Sequence, residues 1–283
     1  MTQRAIAAAL LGSALALGGC VLVVAKDSGT TSFITGEQFA HSWSLELDED
    51  DLASHTALRI TNPSGDVSVI PTKGPPRIRI DTYSDDRDRA RATDIKPLKA
   101  SGGVLVIEPR WPGGIERNES CDIAVYVPVR TGIEIEVGAG EIDVEGMQGT
   151  LSADTGAGEI EIKSHDGPAF LSTNAGEIEA NNITGSVEAK TSAGDIDLGN
   201  VGWPIEAVTR AGDIEVAMRH GFAGELRASS SAGDIDLPGT GTRTSSNGMT
   251  VATHTIGDAY AGDTCFFQTS AGDIEVRVLP AQD

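Results

Sequence analysis

Short runs of alternating apolar and polar residues fill the C-terminal half of the chain, and residues 151–168 (LSADTGAGEIEIKSHDGP) show the pattern most clearly. Leu151 and Ala153 alternate with polar residues, and Ile160 and Ile162 alternate with glutamates. A period of two predicts β-strands that bury one face. An Ala-Gly pair separates the two runs and a Gly-Pro pair closes the stretch, which predicts a unit of strand, corner, strand and turn.

The unit repeats at a constant interval. The glycine of an A-G-[DE]-I motif recurs four times at a spacing of 18 residues, then after 21 and after 39 residues. The motif glycines are Gly140, Gly158, Gly176, Gly194, Gly212, Gly233 and Gly272. Two short strands cannot bury a core alone, but units stacked about 4.8 Å apart can, each strand pairing with its equivalent in the next unit.

The repeat therefore predicts an all-β fold, a single-stranded parallel β-solenoid with 18 residues and two short strands per coil. The residues themselves do not fix its hand, and the general rule for parallel crossovers favours a right-handed, β-helix-like coil. The isoleucine two residues after each motif glycine is expected to face the core, as is the threonine that precedes most of these glycines by three residues. The alanine before each glycine indicates a crowded corner.

Two cysteines lie far apart in this linear stack. Cys121 precedes the first regular coil and Cys265 belongs to the last, so they would be roughly 30 Å or more apart. A disulfide needs Cα atoms within about 7 Å. We expect two unpaired, largely buried thiols.

Residues 1–20 have the features of an export signal. Arg4 is followed by an apolar stretch, and LGGC at 17–20 resembles the lipobox of bacterial lipoproteins, which implies that Cys20 carries the lipid. The alternative is an uncleaved anchor over residues 5–25, because 21 apolar residues can span a bilayer. Both interpretations export the chain and attach it to a membrane, as a lipoprotein of the outer membrane or of the periplasm-facing envelope in the first case.

The rest of the chain divides into three parts. Residues 21–44 are expected to form a tether, residues 45–128 an irregular, β-rich N-terminal cap, and residues 129–280 the solenoid. Within the cap, SGDVSV at 64–69 is a sibling of the repeated motif, and residues 85–94 form a charged loop or a short helix. A separate small β-domain is the alternative to a cap.

Net charge limits the partners. The chain has 42 acidic and 21 basic residues and a formal net charge of −21. We do not expect nucleic-acid binding, because phosphate contacts need clustered Lys and Arg. Cations and basic partners are favoured.

Carboxylates flank the isoleucine of every clear repeat and would form two outward rows. The first acidic ladder consists of Glu141, Glu159, Glu177, Asp195, Asp213, Asp234 and Asp273. The second acidic ladder consists of Asp143, Glu161, Glu179, Asp197, Glu215, Asp236 and Glu275. They form a possible surface for cations, with Ca²⁺ bound weakly, or for a basic partner. The alternative is that solvated acids are retained because they prevent sheets from associating. We assign no metal site and no cofactor beyond weak Ca²⁺.

Catalytic constellations are not recognisable. His165, His220 and His254 are isolated, and turn histidines of this kind are usually solvated. The sequence has no nucleophile elbow, phosphate-binding loop or Cys/His cluster, so we assign no catalytic residue.

The repeated T-x-A-G-[DE]-I-[DE]-[VIL] motif, together with ITNPSGDVSVIPT and RIRI before it, resembles a bacterial putative-adhesin family of unknown function over residues 45–279. The resemblance implies a surface-anchored β-solenoid with no catalytic residues to carry over. We therefore expect a non-enzymatic, membrane-anchored envelope protein with an adhesin-like binding surface, to which residues 238–247 also contribute. The alternatives are an envelope scaffold or signalling module that binds Ca²⁺ weakly and, as a third, a polysaccharide-active enzyme. The ligand, the partner and the oligomeric state stay open.

Overall fold

The fold was described from a computed structural model, which covers residues 24–25, 31–35, 38–47, 52, 56–95, 98–100, 103–257 and 263–281. It is all-β, with two long sheets in which parallel strands predominate. The strands, numbered in chain order, are β1 Val24–Ala25, β2 Thr31–Thr35, β3 Gln38–Glu46, β4 Ala57–Asn62, β5 Val67–Pro71, β6 Arg77–Ser84, β7 Asp94–Ile95, β8 Leu98–Ala100, β9 Val104–Ile107, β10 Pro109–Arg110, β11 Ser120–Val127, β12 Gly132–Val137, β13 Ile142–Glu145, β14 Thr150–Thr155, β15 Ile160–Lys163, β16 Ala169–Ala175, β17 Ile178–Asn181, β18 Val187–Ala193, β19 Ile196–Val201, β20 Ile205–Val208, β21 Ile214–Met218, β22 Gly224–Ser230, β23 Ile235–Asp236, β24 Thr240–Ser246, β25 Met249–Ile256, β26 Asp263–Thr269 and β27 Ile274–Val278. The helix α1 spans Arg87–Ala92.

From β12 to β23, consecutive strands of the chain alternate between the two long sheets. The 13-stranded sheet has the order β1-β2-β3-β6-β11-β5-β13-β15-β17-β19-β21-β27-β23. The 12-stranded sheet has the order β24-β25-β22-β26-β20-β18-β16-β14-β12-β4-β9-β8. A separate pair consists of β10 and β7. The prediction of an all-β fold built from stacked parallel strands is confirmed.

Register in the central strands follows the sequence repeat. Ile142 pairs with Ile160 and Ile160 with Ile178 in one sheet, while Leu151 pairs with Ala169 in the other. These isoleucines are fully buried and belong to one apolar core that runs the length of the two sheets. The inward rows therefore pack against their own copies, and a thin core is filled without large aromatic residues.

The corner between the two sheets depends on glycine. Gly158 has φ +144°, and a Cβ atom at this position would lie 2.0 Å from the carbonyl oxygen of Gly140 in the neighbouring layer. The buried Thr155 hydroxyl donates to the same oxygen at 3.0 Å. The equivalent bond from Thr173 reaches Gly158 at 3.1 Å, and Thr191, Thr209 and Thr269 make the same bond, so five corners are closed by a threonine and a bare glycine. The predicted inward threonines are confirmed, while Ala157 beside them is exposed.

Strand order at the C-terminal end corrects the predicted linear stack. β27 lies between β21 and β23, so that Ile274 pairs with both Ile214 and Ile235. β26 likewise lies between β20 and β22. The strands β26 and β27 therefore lie between strands that precede them in the chain, because the near-identical motifs offer interchangeable pairing edges.

The N-terminal segments continue the same sheets. Val67 of β5 pairs in parallel with Ile142, and Leu58 of β4 pairs with Ile133. β11 and β9 add on their outer sides, and β6 and β3 extend the 13-stranded sheet with antiparallel pairing. The tether expected over residues 21–44 contains β1 and β2, and its residues 38–44 belong to β3, so its described part continues the 13-stranded sheet.

The charged segment after β6 is a short helix. Asp86 caps α1 by accepting from the backbone N–H of Asp88 and Arg89. Arg89 pairs with the buried Glu119 at 2.6 Å, and Ser84 donates to the same carboxylate. The Arg89 guanidinium holds the pKa of Glu119 below its usual value. This buried pair fastens the loop before β11 to the helix.

Both described cysteines are free and fully buried, as expected. Cys265 occupies the core position of Ile205 in the next strand, and its Sγ accepts from the Ile205 backbone N–H at 3.4 Å. Burial raises the pKa of Cys265 to about 11. The two thiols are packing residues rather than reactive groups.

Replacing Gly158 by alanine should destabilise the protein by at least about 3 kcal/mol, because the new Cβ meets a backbone carbonyl that cannot move without shifting the next layer. Urea unfolding followed by circular dichroism measures the loss. Gly113→Ala is the matched control, since Gly113 also has a positive φ of +75° but nothing within 4 Å of the added Cβ. It should cost about 1 kcal/mol. Equal losses for the two variants would show that backbone strain alone, and not the contact between layers, makes the glycine necessary.

Candidate functional site

The first acidic ladder lies along the corner of the 13-stranded sheet. Each acid immediately precedes a buried isoleucine, and the backbone N–H of that isoleucine donates to the carbonyl of the next acid in the ladder, as from Ile142 to Glu159 at 2.9 Å. These bonds give the spatial order Asp66, Glu141, Glu159, Glu177, Asp195, Asp213, Asp273 and Asp234. Asp273 thus lies between Asp213 and Asp234, which the chain order did not predict.

Two aspartates extend this ladder beyond the predicted set. The Val67 N–H donates to the Glu141 carbonyl and the Ile123 N–H to the Asp66 carbonyl, which places Asp66 and then Asp122 at the end of the row. SGDVSV was the signal for Asp66. Asp122 follows a cysteine instead of a glycine, so no motif marked it.

The second acidic ladder runs beside the first on the same outer face. Its order is Asp143, Glu161, Glu179, Asp197, Glu215, Glu275 and Asp236. Two cations neutralise part of it: Lys163 pairs with Glu161, and Arg277 pairs with Glu215. The second ladder ends at Ser68 and Ala124, which occupy its positions in β5 and β11.

Aspartate and glutamate make different contacts within the first acidic ladder. Asp195 accepts the backbone N–H of Asp213 at 2.8 Å, and Asp213 accepts that of Asp273 at 2.7 Å. Asp66 accepts from Glu141 in the same way at 2.9 Å. The shorter aspartate side chain therefore satisfies a donor in the neighbouring layer.

The glutamates of the first acidic ladder are free of such bonds. Within the described ranges, the side chains of Glu141, Glu159 and Glu177 accept no backbone N–H, and the three residues are consecutive in the ladder. Burial, followed by the charge of Glu159, raises the pKa of Glu141 and of Glu177. These three side chains form the part of the face where charge is least compensated.

Two residues of the second acidic ladder also have raised pKa values. Burial and then the neighbouring Glu161 raise the pKa of Asp143, and burial and then Glu215 raise that of Asp197. Like charges one layer apart repel by about 1 kcal/mol in water. The face thus favours protons, cations or basic groups.

The carboxylates are arranged in rows and do not converge on a point. In the described part of the chain, no three His, Cys, Asp or Glu side chains are placed to hold a metal ion together. The arrangement can attract mobile cations or a flat basic surface through many weak contacts.

The outer face of the 12-stranded sheet is different in chemistry. Phe170 and Phe266 are exposed and line a shallow groove together with Glu188 and Glu206. Lys190 bridges the two glutamates at 2.6 and 2.9 Å. Lys190 therefore offsets one of the two groove carboxylates, whereas both acidic ladders lie on the other sheet.

Other residues singled out in the sequence have these positions. His165 is buried, contrary to the expectation of a solvated turn histidine, and its Nε2 lies 2.9 Å from the Gly149 carbonyl oxygen. It shares its corner with Met147 and Ile183, which are also buried. Residues 240–246 of the predicted contact segment form the exposed strand β24. Cys20 lies outside the described residues.

No helix among the described residues combines the length and apolarity that a bilayer crossing requires.

Long, mostly parallel sheets and a row of corner carboxylates define an all-β protein with one flat acidic face. The sequence profile of the Toastrack DUF4097 family matches residues 24–277, and the chain belongs to this family. No curated protein matches the chain at a significant level.

Solved structures that match the chain include three bacterial proteins. A putative adhesin from Bacteroides fragilis NCTC 9343 is 15% identical with a TM-score of 0.44, covering 84% of this chain and 97% of its own. A putative cell adhesion protein from Clostridium sporogenes ATCC 15579 is 11% identical with a TM-score of 0.36, covering 84% and 99%. A putative lipid binding protein from Parabacteroides distasonis ATCC 8503 is 13% identical with a TM-score of 0.31, covering 85% and 97%.

Asp213→Ala should destabilise the protein by about 1 kcal/mol, because the Asp273 N–H loses its acceptor. Asp213→Asn keeps an acceptor oxygen and removes the charge, so its stability should equal or exceed that of the wild type. Urea midpoints compare the two. Equal destabilisation by both variants would mean that the charge, and not the hydrogen bond, is the contribution of Asp213.

Glu177→Gln should raise the melting temperature by about 2 °C at pH 7.5, because it removes a carboxylate that its neighbours repel. The raised pKa of Glu177 means that the folded state binds this proton more tightly than the unfolded state. The wild type therefore gains stability relative to the variant as the pH falls through that pKa, and the difference should vanish by about pH 4. Thermal scans between these pH values measure it.

Glu188→Gln is the control for this measurement. The same substitution there breaks the pair with Lys190 and should leave the melting temperature unchanged or lower it at pH 7.5. A rise equal to that of Glu177→Gln would attribute the effect to net charge instead of ladder position.

Proposed function

We propose that the protein is a non-enzymatic, membrane-anchored component of the cell envelope whose acidic face binds basic surfaces in the manner of an adhesin. The observation that carries this proposal is the continuous first acidic ladder, in which the carboxylates of Glu141, Glu159 and Glu177 accept no hydrogen bond from a backbone N–H. A row of unpaired carboxylates presents a linear array of acceptors to repeated cationic groups.

The proposed architecture supports this role. In it the chain is a β-solenoid in which each coil of about 18 residues gives one strand to each sheet. Regular coils hold the carboxylates about 4.8 Å apart along a rigid face, so a basic partner can engage several without ordering flexible loops. Affinity then comes from the number of contacts.

The proposed location follows from the N-terminal segment. Lipidation at Cys20 would attach the chain to the outer membrane or the periplasm-facing envelope, and residues 5–25 as an uncleaved anchor are the alternative. Attachment leaves the sheets free to face a partner. Repulsion between the acidic face and anionic lipid headgroups favours an orientation in which that face points away from the membrane.

An envelope scaffold that binds Ca²⁺ weakly is a second candidate. It is favoured by Asp143 and Asp197, whose pKa values are raised first by burial and then by the neighbouring carboxylates of Glu161 and Glu215 in the second acidic ladder. Divalent cations would relieve this crowding through diffuse contacts, with millimolar affinity and no dedicated site.

Binding of the full-length chain in detergent to immobilised poly-L-lysine tests the main proposal. At 150 mM salt, the triple variant Glu141→Gln, Glu159→Gln, Glu177→Gln should weaken binding at least tenfold and reduce its salt dependence. The control triple Glu136→Gln, Glu188→Gln, Glu206→Gln removes the same charge from the other sheet and should change affinity less than twofold.

If the two triple variants lose affinity equally, binding depends only on net charge and the proposal of a binding face is wrong. Melting curves with 5 mM CaCl₂ decide on the second candidate. A shift of several degrees that the ladder variant loses would favour the scaffold, while no shift would exclude it.

A further inference from the structure

The terminal strands of the two long sheets differ in length and exposure. Three of the four terminal strands within the described residues are very short: β1 has two residues, β8 three and β23 two. The fourth, β24, has seven residues, and all seven are exposed. Short terminal strands are a common protection against edge-to-edge pairing, and β24 lacks it.

Strand β24 is well formed on its inner side. It pairs antiparallel with β25 over all seven residues, from Thr240 with Thr255 to Ser246 with Met249. Asn247 and Gly248, with φ +54° and +81°, form the two-residue turn between the strands. A strand held this firmly presents its remaining backbone donors and acceptors outward in a fixed array.

The edge also lacks the side chains that block pairing. Thr240–Ser246 contains no proline and no carboxylate, and its one charged residue is Arg243. The Arg243 guanidinium donates to the carbonyl of Ile235 in the neighbouring sheet, so it is directed away from the free edge. Threonine at positions 240, 242 and 244 favours extended pairing.

Charge makes this edge different from the rest of the molecule. Residues 237–257 contain no Asp or Glu, although the chain has 42 such residues in 283. Like charges that face each other across paired strands are unfavourable. A second copy that paired with β24 would bring no carboxylate of residues 237–257 against another.

We propose that β24 is a self-association edge, at which a second copy of this chain adds its own β24 in antiparallel pairing. The 12-stranded sheets of the two copies then become one continuous sheet. Backbone hydrogen bonds supply the contact, as in other cases of strand addition. The acidic face lies on the other sheet and stays uncovered, so the dimer presents two such faces.

Sedimentation of the full-length chain in detergent, in a Cys20→Ser background, tests the proposal. The expected result is a reversible dimer at micromolar concentrations. Thr242→Asp with Thr244→Asp places four carboxylates across the paired edge and should raise the dimer dissociation constant at least tenfold. Ser152→Asp with Ser172→Asp adds the same charge in the middle of the same sheet and should change it less than twofold.

Spin labels locate the contact. A label on Thr244→Cys should report a distance below about 20 Å between copies, since paired strands are about 4.8 Å apart. A label on Ser152→Cys, several strands away, should report a longer distance. A monomer at all concentrations overturns the proposal, as does a dimer in which the label at 244 is farther from its copy than the label at 152.

Discussion

The contact between a motif glycine and the carbonyl oxygen of the glycine in the adjacent layer is the constraint on which the remaining structure depends. A Cβ at Gly176 would lie 2.0 Å from the Gly158 oxygen, and one at Gly194 2.1 Å from that of Gly176. Backbone therefore approaches backbone at a distance that no other residue permits. Because a threonine hydroxyl donates to the same oxygen, the corner is fixed in position and direction. The inward isoleucines and the outward acids then follow from a common register.

The local pattern predicted what depends on one layer and its neighbour. Alternation gave the buried isoleucines, the corner threonines and the two unpaired cysteines, because each follows from period two and from stacking. It could not give the order of layers, since Ile214 offers the same edge to Ile235 and to Ile274, and long-range pairing selects the second. Asn247-Gly248 is a recognisable hairpin signal between two threonine-rich runs and would have located β24 and β25. His165 is buried because its corner position lies between those of Met147 and Ile183. Only these neighbours show that the position faces the core.

The acidic ladders show how similar side chains divide their roles. Aspartate and glutamate carry the same charge, and the repeat pattern alone does not distinguish their roles. In the structure the shorter side chain of Asp195 turns back to a backbone N–H, while that of Glu177 extends into solvent. Asp195, Asp213 and Asp273 thus bond adjacent layers together, while Glu141, Glu159 and Glu177 make no such side-chain bond. This separation makes a binding role testable without dismantling the fold.

The insertion of β26 and β27 between earlier strands has a consequence for synthesis. When β22 and β23 leave the ribosome, the edges that they will pair with in the finished protein, those of β26 and β27, have not yet been made. The C-terminal end therefore cannot be completed layer by layer as the chain is translated. Closure waits until β26 and β27 have been translated, about a second or more after β25 at ordinary elongation rates. A chain cut short before β26 lacks the layer between β20 and β22, so its earlier strands are left without their partners.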